Sequence, residues 1–214
     1  MPKPPYRTTV YVDGFNFYYG AVKGTSWKWL DPAALFRKVL GPQNTLVKLK
    51  YFTARVQPTA SDPNVHVRQD TYLTALQTHC PLVELYFGHF LRHQIAMEHA
   101  NPPPPSVQVW KNEEKGSDVN LALHVLNDAW QDAYDCAVVV SNDSDLAESL
   151  RLVKAQHKKL IGIVTPGART RTRKTSWRLR QHADFVKPIR TWMLKTSQLP
   201  NPIPGTTIHK PANW

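Results

Sequence analysis

Four aspartates stand at three places far apart in the chain, each beside an element that an α/β sheet brings to a common edge. Asp13 closes the β-rich run Thr8-Thr9-Val10-Tyr11-Val12 and leads into Gly14-Phe15-Asn16. Asp118 opens a helical stretch after Glu114-Lys115-Gly116-Ser117. Asp143 and Asp145 follow the apolar run Cys136-Ala137-Val138-Val139-Val140, within Ser141-Asn142-Asp143-Ser144-Asp145. Carboxylates gathered at the carboxyl ends of parallel strands are hard oxygen donors, suited to Mg²⁺ or Mn²⁺ in the crevice where such sheets bind ligands. An ion there would lower the pKa of a coordinated water, polarise a phosphoryl oxygen and stabilise the leaving oxyanion. Two acids as close as Asp143 and Asp145 repel unless something cationic compensates. Plainer roles stay open: Asp118 and Asp145 each open a helix, where Asp is favoured as a cap and by the helix dipole. Asn16 suits a turn as well as a contact to water or phosphate.

The elements that must position these acids alternate along the chain. Residues 8–13 read as a first strand, and Phe15 to Val22 as a short aromatic helix. Asp31-Pro32 is an N-cap followed by Pro at the first helical position, opening a helix that closes at Gly41-Pro42. Thr45 to Val56 reads as a strand. Ser61-Asp62-Pro63 caps a helix to about His79, with Val67, Tyr72, Leu73 and Leu76 on one face. Leu82 to Leu91 reads as one strand, and Asn101-Pro102-Pro103-Pro104-Pro105 as an extended loop inside the domain. A short strand at Val107–Trp110, a helix from Asp118 to about Asp132, strand 136–140, a helix from Asp145 to Gln156 and strand 159–164 follow. Such alternation argues for a parallel, doubly wound sheet, with Asp13 and Asp143 as neighbours at its switch point.

The chain of 214 residues is long enough for one domain with a full core. We divide it into an N-terminal extension 1–7, a catalytic domain 8–190 and a Pro-rich tail 191–214 packed on that domain. Cys80 and Cys136 lack metal-ligand spacing and read as buried free thiols of a reducing cytoplasm. No apolar run reaches membrane-spanning length, and Met1–Arg7 lacks the apolar centre of a secretory signal. No Gly-rich phosphate loop of nucleotide-cofactor or NTPase type occurs.

The formal charge is +11, which favours a polyanion as partner through counterion release and steering. Its distribution sharpens this: Arg169, Arg171, Arg173, Lys174 and Arg178 crowd one segment around Trp177. Arginines fork onto phosphates, and an indole stacks on a base. Trp27 and Trp29, beside Lys28, suit either the rim of the site or the core. Lys115 either contacts the scissile phosphate and compensates the carboxylates, or is a solvated loop lysine. Arg68 and Tyr72 share a helix face; core packing for Tyr72 and solvation for Arg68 are the simpler roles.

Three of these segments carry a family resemblance. Val12-Asp13-Gly14-Phe15-Asn16 resembles the Asp-x-x-Asn opening of the NYN domain, a branch of the PIN-like ribonuclease superfamily. Lys115-Gly116-Ser117-Asp118-Val119 resembles that family's Lys-Gly-x-Asp-Val step, and Val139-Val140-Ser141-Asn142-Asp143-Ser144-Asp145-Leu146 its Ser-Gly-Asp-Ser-Asp-Phe motif. The order and spacing match over about residues 8–187, closest to the bacterial LabA-like branch. Asn142 replaces the usual Gly, a position for which Asn's tolerance of positive φ is relevant; Leu146 replaces Phe.

The resemblance implies an α/β, PIN-like Rossmannoid fold: a three-layer sandwich around a mainly parallel central sheet. It also implies Mg²⁺- or Mn²⁺-dependent hydrolysis of RNA by a cytoplasmic endoribonuclease. Asp13, Asp118 and Asp143 would be the metal-binding and catalytic acids, with Asp145 assisting and Asn16 and Ser141 as neighbouring polar contacts to substrate. A homo-oligomer and a regulatory protein partner are compatible with it. Two alternatives stay open: a non-catalytic RNA-binding or regulatory module, and a phosphohydrolase or DNA nuclease using the same acids.

Overall fold

Eight β-strands and seven α-helices run through the computed structural model, which describes residues 4–167, 175–212 and 214. The strands are β1 (Tyr6–Asp13), β2 (Asn44–Thr53), β3 (Val83–Phe87), β4 (His89–Glu98), β5 (Ser106–Lys115), β6 (Cys136–Val140), β7 (Leu160–Thr165) and β8 (Phe185–Pro188). The helices are α1 (Gly14–Phe17), continued by a π-turn at Tyr18–Val22, α2 (Pro32–Leu40), α3 (Val65–His79), α4 (Ser117–Trp130), α5 (Ala147–Leu152), α6 (Trp177–Arg180) and α7 (Thr191–Lys195). Six strands form one sheet in the order β3-β2-β1-β6-β7-β8, and every neighbouring pair is parallel. The order reverses between β1 and β6. That is the switch point anticipated for Asp13 and Asp143.

Strand alternation builds the two cores. Val10 and Val12 of β1, with Val138 and Val140 of β6, face one side and pack with Leu35 and Phe36 of α2 and Leu76 of α3. Tyr11 and Val139 face the other, packing with Leu121 and Val125 of α4, Leu150 of α5 and Leu179 of α6. Helices on both faces explain why β6 is buried along its whole length. The segment after α7 lies on the first layer: Leu199 and Ile203 are buried there, and the Trp29 indole N–H donates to the Pro200 carbonyl at 3.0 Å. Trp29 is therefore a core residue.

Local chemistry sets the helix starts. The Asp31 carboxylate accepts from Ala34 N–H at 2.9 Å with Pro32 at the first position, as anticipated. The long helix α3 begins later than the Ser61-Asp62-Pro63 signal suggests, after Asn64. Its buried face is Tyr72, Leu73, Ala75 and Leu76, whereas Val67 is exposed. Two apolar positions per turn suffice here because the Tyr72 hydroxyl also reaches into the layer, donating to Leu30 O at 2.9 Å.

The region around the prolines departs from expectation. Residues 82–91 do not form one strand: Gly88 separates β3, in the parallel sheet, from β4, which leaves it. The strands β4 and β5 pair antiparallel over their full length as a separate two-stranded ribbon, from His89↔Lys115 to Glu98↔Ser106. The proline run is a loop inside the domain, as anticipated, but it turns the chain back from β4 to β5 instead of running extended, closed by His99 N–H donating to Pro105 O at 3.1 Å. The expected short strand Val107–Trp110 is the first part of β5; the rest of both strands, mostly exposed, carries no alternation that marks it.

One charged pair lies between the sheet and α4. Lys50 of β2 and Asp128 of α4 are both buried, with Nζ 2.7 Å from Oδ2 and 2.9 Å from Oδ1. The Tyr11 hydroxyl of β1 donates to Asp128 Oδ2 at 2.7 Å, and the Lys50 ammonium also lies 3.2 Å from His124 Nδ1. Burial and the adjacent carboxylate hold the Tyr11 hydroxyl's pKa far above its ordinary value. Removing one partner strands the other charge out of water. Asp128→Ala should lower the free energy of unfolding by about 3–5 kcal/mol. Lys50→Met with Asp128→Leu should recover most of that loss; urea denaturation of the single and double variants checks both.

Candidate metal centre

Asp13 ends β1 and caps α1. One of its oxygens, Oδ1, accepts from Asn16 N–H at 2.9 Å, and Oδ2 accepts from the Ser141 hydroxyl at 2.8 Å. Ser141, fully buried just after β6, also accepts at Oγ from Asp143 N–H at 3.0 Å. A single hydroxyl thus joins the two strand ends across the switch point. Asp143 Oδ1 accepts from Asp145 N–H at 3.0 Å and begins the turn into α5. The Asn16 side-chain oxygen accepts from Asn142 N–H at 3.3 Å, tying the first motif to the third.

Asp118 arrives from α4. The chain turns from β5 into this helix through Gly116, whose φ of +93° is left-handed backbone that Gly adopts without penalty. Close approach is also needed at Gly88: a Cβ there would lie 2.4 Å from Glu114 Oε1 and 2.5 Å from the Lys115 carbonyl. The capping role that Asp118 could have filled falls to Glu114, which accepts from Ser117 N–H at 3.0 Å and from the Ser117 hydroxyl at 2.7 Å. Asp118 is left in the first turn without a capping bond.

Asp13, Asn16, Glu114, Ser117, Asp118 and Asp143 line one cavity of 370 Å³, walled by Phe15, Tyr19, Val56, Phe90 and Asn112. Among the described residues its lining holds four carboxylates and no lysine or arginine. Glu114 is the acid that the sequence reading did not single out. It lies before the helix start, on the strand side of Gly116, where no standard capping pattern marks it.

The clustering has an electrostatic cost. The Asp13 carboxyl is raised above the carboxylate range, first by burial, against which its bonds from Asn16 and Ser141 work. The Asp118 carboxyl is pushed up to about 7, first by burial, then by the charges of Asp13, Asp143, Glu114 and Asp145. A divalent cation would relieve this repulsion, and the all-oxygen donor set matches Mg²⁺ or Mn²⁺. Among the described residues no three acidic, imidazole or thiol groups converge to enclose an ion by themselves. Mg²⁺ is commonly held by one or two carboxylates and completed by water and phosphate, so the residues fit that mode.

The remaining candidates fall elsewhere. Asp145 is exposed and lines a separate cavity with Ser144, Glu148, Trp177, Arg178 and His182. Lys115 pairs with Glu113 at 2.9 Å and is not among the residues lining the acid pocket. Arg178 lies over the exposed Trp177 ring at 5.9 Å. Arg169, Arg171, Arg173 and Lys174 lie outside the described residues. Asn142 does not use positive φ; among described non-glycine residues only Asp132 and Lys158 do. Its side chain instead accepts from Ser176 N–H at 2.7 Å, a bond Gly cannot make. Cys80 and Cys136 are buried free thiols whose pKa values burial pushes up to about 12.

Similarity to known proteins follows the same segments. The NYN domain matches residues 7–189. The chain is 34% identical to the protein named 6-hydroxy-3-succinoylpyridine 3-monooxygenase of Pseudomonas putida, over all of this chain and 77% of that one. A crystal structure of a Vibrio parahaemolyticus protein of unknown function shares the fold with a TM-score of 0.55 at 18% identity, covering 89% of this chain and 97% of that one.

The raised Asp118 pKa has a measurable consequence in protein stripped of divalent metal. The folded state holds the proton more tightly than the unfolded chain, so stability falls as pH rises from about 4 through 7. Asp118→Asn removes that loss. Allowing for partial exposure, the variant should melt on the order of 2–4 °C higher at pH 8, corresponding to about 1 kcal/mol in a chain of this size. At pH 4 the two melting temperatures should coincide.

Proposed function

Because the chain belongs to the NYN domain family, whose members are nuclease-type hydrolases with a PIN-like fold, we propose that it is a metal-dependent endoribonuclease of the LabA-like branch. The observation that supports this most strongly is the single pocket at the ends of β1 and β6 that Asp13, Asp118, Asp143 and Glu114 line together. Asp13, Asp118 and Asp143 would hold Mg²⁺ or Mn²⁺, which supplies Lewis-acid activation of the phosphodiester and of attacking water. Ser141 and Asn16 keep Asp13 oriented through its two oxygens. The raised proton affinities of Asp13 and Asp118 belong to the metal-free pocket and would fall as an ion binds there. The excess of cations elsewhere, +11 overall, would hold the RNA backbone around an acidic centre that a bare phosphate avoids. Water as nucleophile leaves 5′-phosphate ends. Asp145, exposed beside Arg178 and Trp177 in the neighbouring cavity, would assist only through its charge, which reaches Asp118.

A small aromatic substrate is the second reading. The name of the Pseudomonas putida relative refers to a substituted pyridine, and a ring-lined cavity of 390 Å³ adjoins the acid pocket.

Labelled total RNA incubated with the purified chain should be cut with Mg²⁺ or Mn²⁺ and left intact with EDTA. Asp143→Asn should lower the rate more than about 100-fold, beyond what loss of an outer-shell partner costs, while RNA binding persists. Binding without cleavage would make the chain an RNA-binding module, and cleavage indifferent to the substitution would remove the assignment. Matched DNA and a simple phosphate ester as substrates separate the nuclease classes.

A further inference from the structure

Beside the acid pocket lies a second cavity of different chemistry. It has a volume of 390 Å³, within the range of about 300–1,000 Å³ typical of small-molecule sites. Phe15, Tyr19 and Val56 line both cavities and form the partition between them. Its walls are aromatic: Tyr18 and Tyr19 meet edge to face at 5.3 Å, and Tyr72 and Trp214 lie 5.5 Å apart with planes inclined by 35°. Tyr19 stands at the junction with 60% of its surface exposed.

The charge of this cavity is opposite to that of its neighbour. Lys23, Lys28 and Arg68 line it against one acid, Asp62, which pairs with Arg68. The Lys23 ammonium lies 4.5 Å from the Tyr19 ring centroid and that of Lys28 lies 5.7 Å from the Trp214 ring. Rings set beside cations match a planar heterocycle that carries its own negative charge. A nucleotide has this composition, and a strand whose phosphate sits in the acid pocket must place the adjoining nucleotide within reach of the partition.

We propose that this cavity is a nucleotide-binding pocket that receives the base flanking the scissile phosphate, with Tyr19 stacking on the base and Arg68 and Lys28 meeting the next phosphate. It rests on the nuclease reading for its place in the reaction, but not for binding. The pocket gives the enzyme a preference at one position beside the cut, through stacking strength and fit.

The test measures binding apart from cleavage. Uridine and adenosine 5′-monophosphate are titrated calorimetrically into Asp143→Asn protein in EDTA, with nicotinate as a ring acid lacking ribose and phosphate. Either nucleotide should bind, and Tyr19→Ala should weaken it roughly five- to a hundred-fold, the range for loss of one base-stacking ring. Val65→Trp, which fills the cavity from the start of α3, should abolish binding in protein whose melting transition is preserved. In metal-loaded protein retaining Asp143, filling the pocket should flatten any base preference beside the cut. Nucleotide binding without RNA cleavage would uphold the pocket and remove the nuclease reading. Metal-dependent cleavage with no nucleotide binding, or binding indifferent to both substitutions, would overturn the pocket alone. Nicotinate binding in place of the nucleotides would overturn it in favour of a small aromatic acid.

Discussion

The ion pair between Lys50 and Asp128 decides where α4 lies, and the acid centre depends on α4. Both charges are withdrawn from water, so their attraction must offset a desolvation cost of several kcal/mol per ion. It does so with two oxygens of Asp128 against one ammonium and a further hydrogen bond from Tyr11. Those three residues belong to β2, α4 and β1. The packing of Leu121, Val125 and Ala129 already restricts how α4 sits on the sheet, and this polar contact adds a single register to it. With α4 pinned at Asp128, its first turn falls beside the end of β1, and Asp118 follows.

The acid pocket is built against its own electrostatics. Neutral donors rather than cations hold the carboxylates there: the Ser141 hydroxyl and the backbone N–H groups of Asn16 and Asp145. They orient the acids without cancelling their charge, and burial then raises the proton affinity of Asp13 and Asp118. A lysine in the same pocket would have permanently offset part of the cluster's charge. Lys115, placed by sequence within reach, spends its charge on Glu113 instead. The centre thus keeps an unmet demand for positive charge within a chain that is cationic overall.

The parallel sheet and its switch point were legible because β1 and β6 are short runs of Val and Ala or Tyr between turn residues, each followed by Asp. The same logic singled out Asp13 and Asp143, which strand order brings together, and Asp118, which joins them through the placement of α4. Of the hairpin, only Val107–Trp110 was legible as a strand, and its pairing with β4 was not. Its strands are largely exposed on both faces, so residues such as His93, Gln94, Lys111 and Asn112 break any alternation. Glu114 was missed for the same reason, since it belongs to that hairpin. The family resemblance correctly tied the three motifs together, but it could not show that Asn142 would replace Gly through a side-chain bond to Ser176 instead of through an unusual backbone angle.

The acid pocket has a floor and a wall of unequal construction. Its floor, Asp13 and Asp143, is anchored in a sheet of six strands buried from both sides. Its wall, Phe90, Asn112 and Glu114, belongs to the β4–β5 ribbon, which has one ladder and touches the floor through the Phe15–Phe90 ring contact at 5.6 Å. Two-stranded ribbons are marginal on their own. The free energy needed to open the wall is therefore set by a few local contacts and not by global stability. Accordingly, β4 and β5 should open locally at a lower free energy than β1 and β6, which makes the wall the yielding side of the pocket and the floor its fixed one.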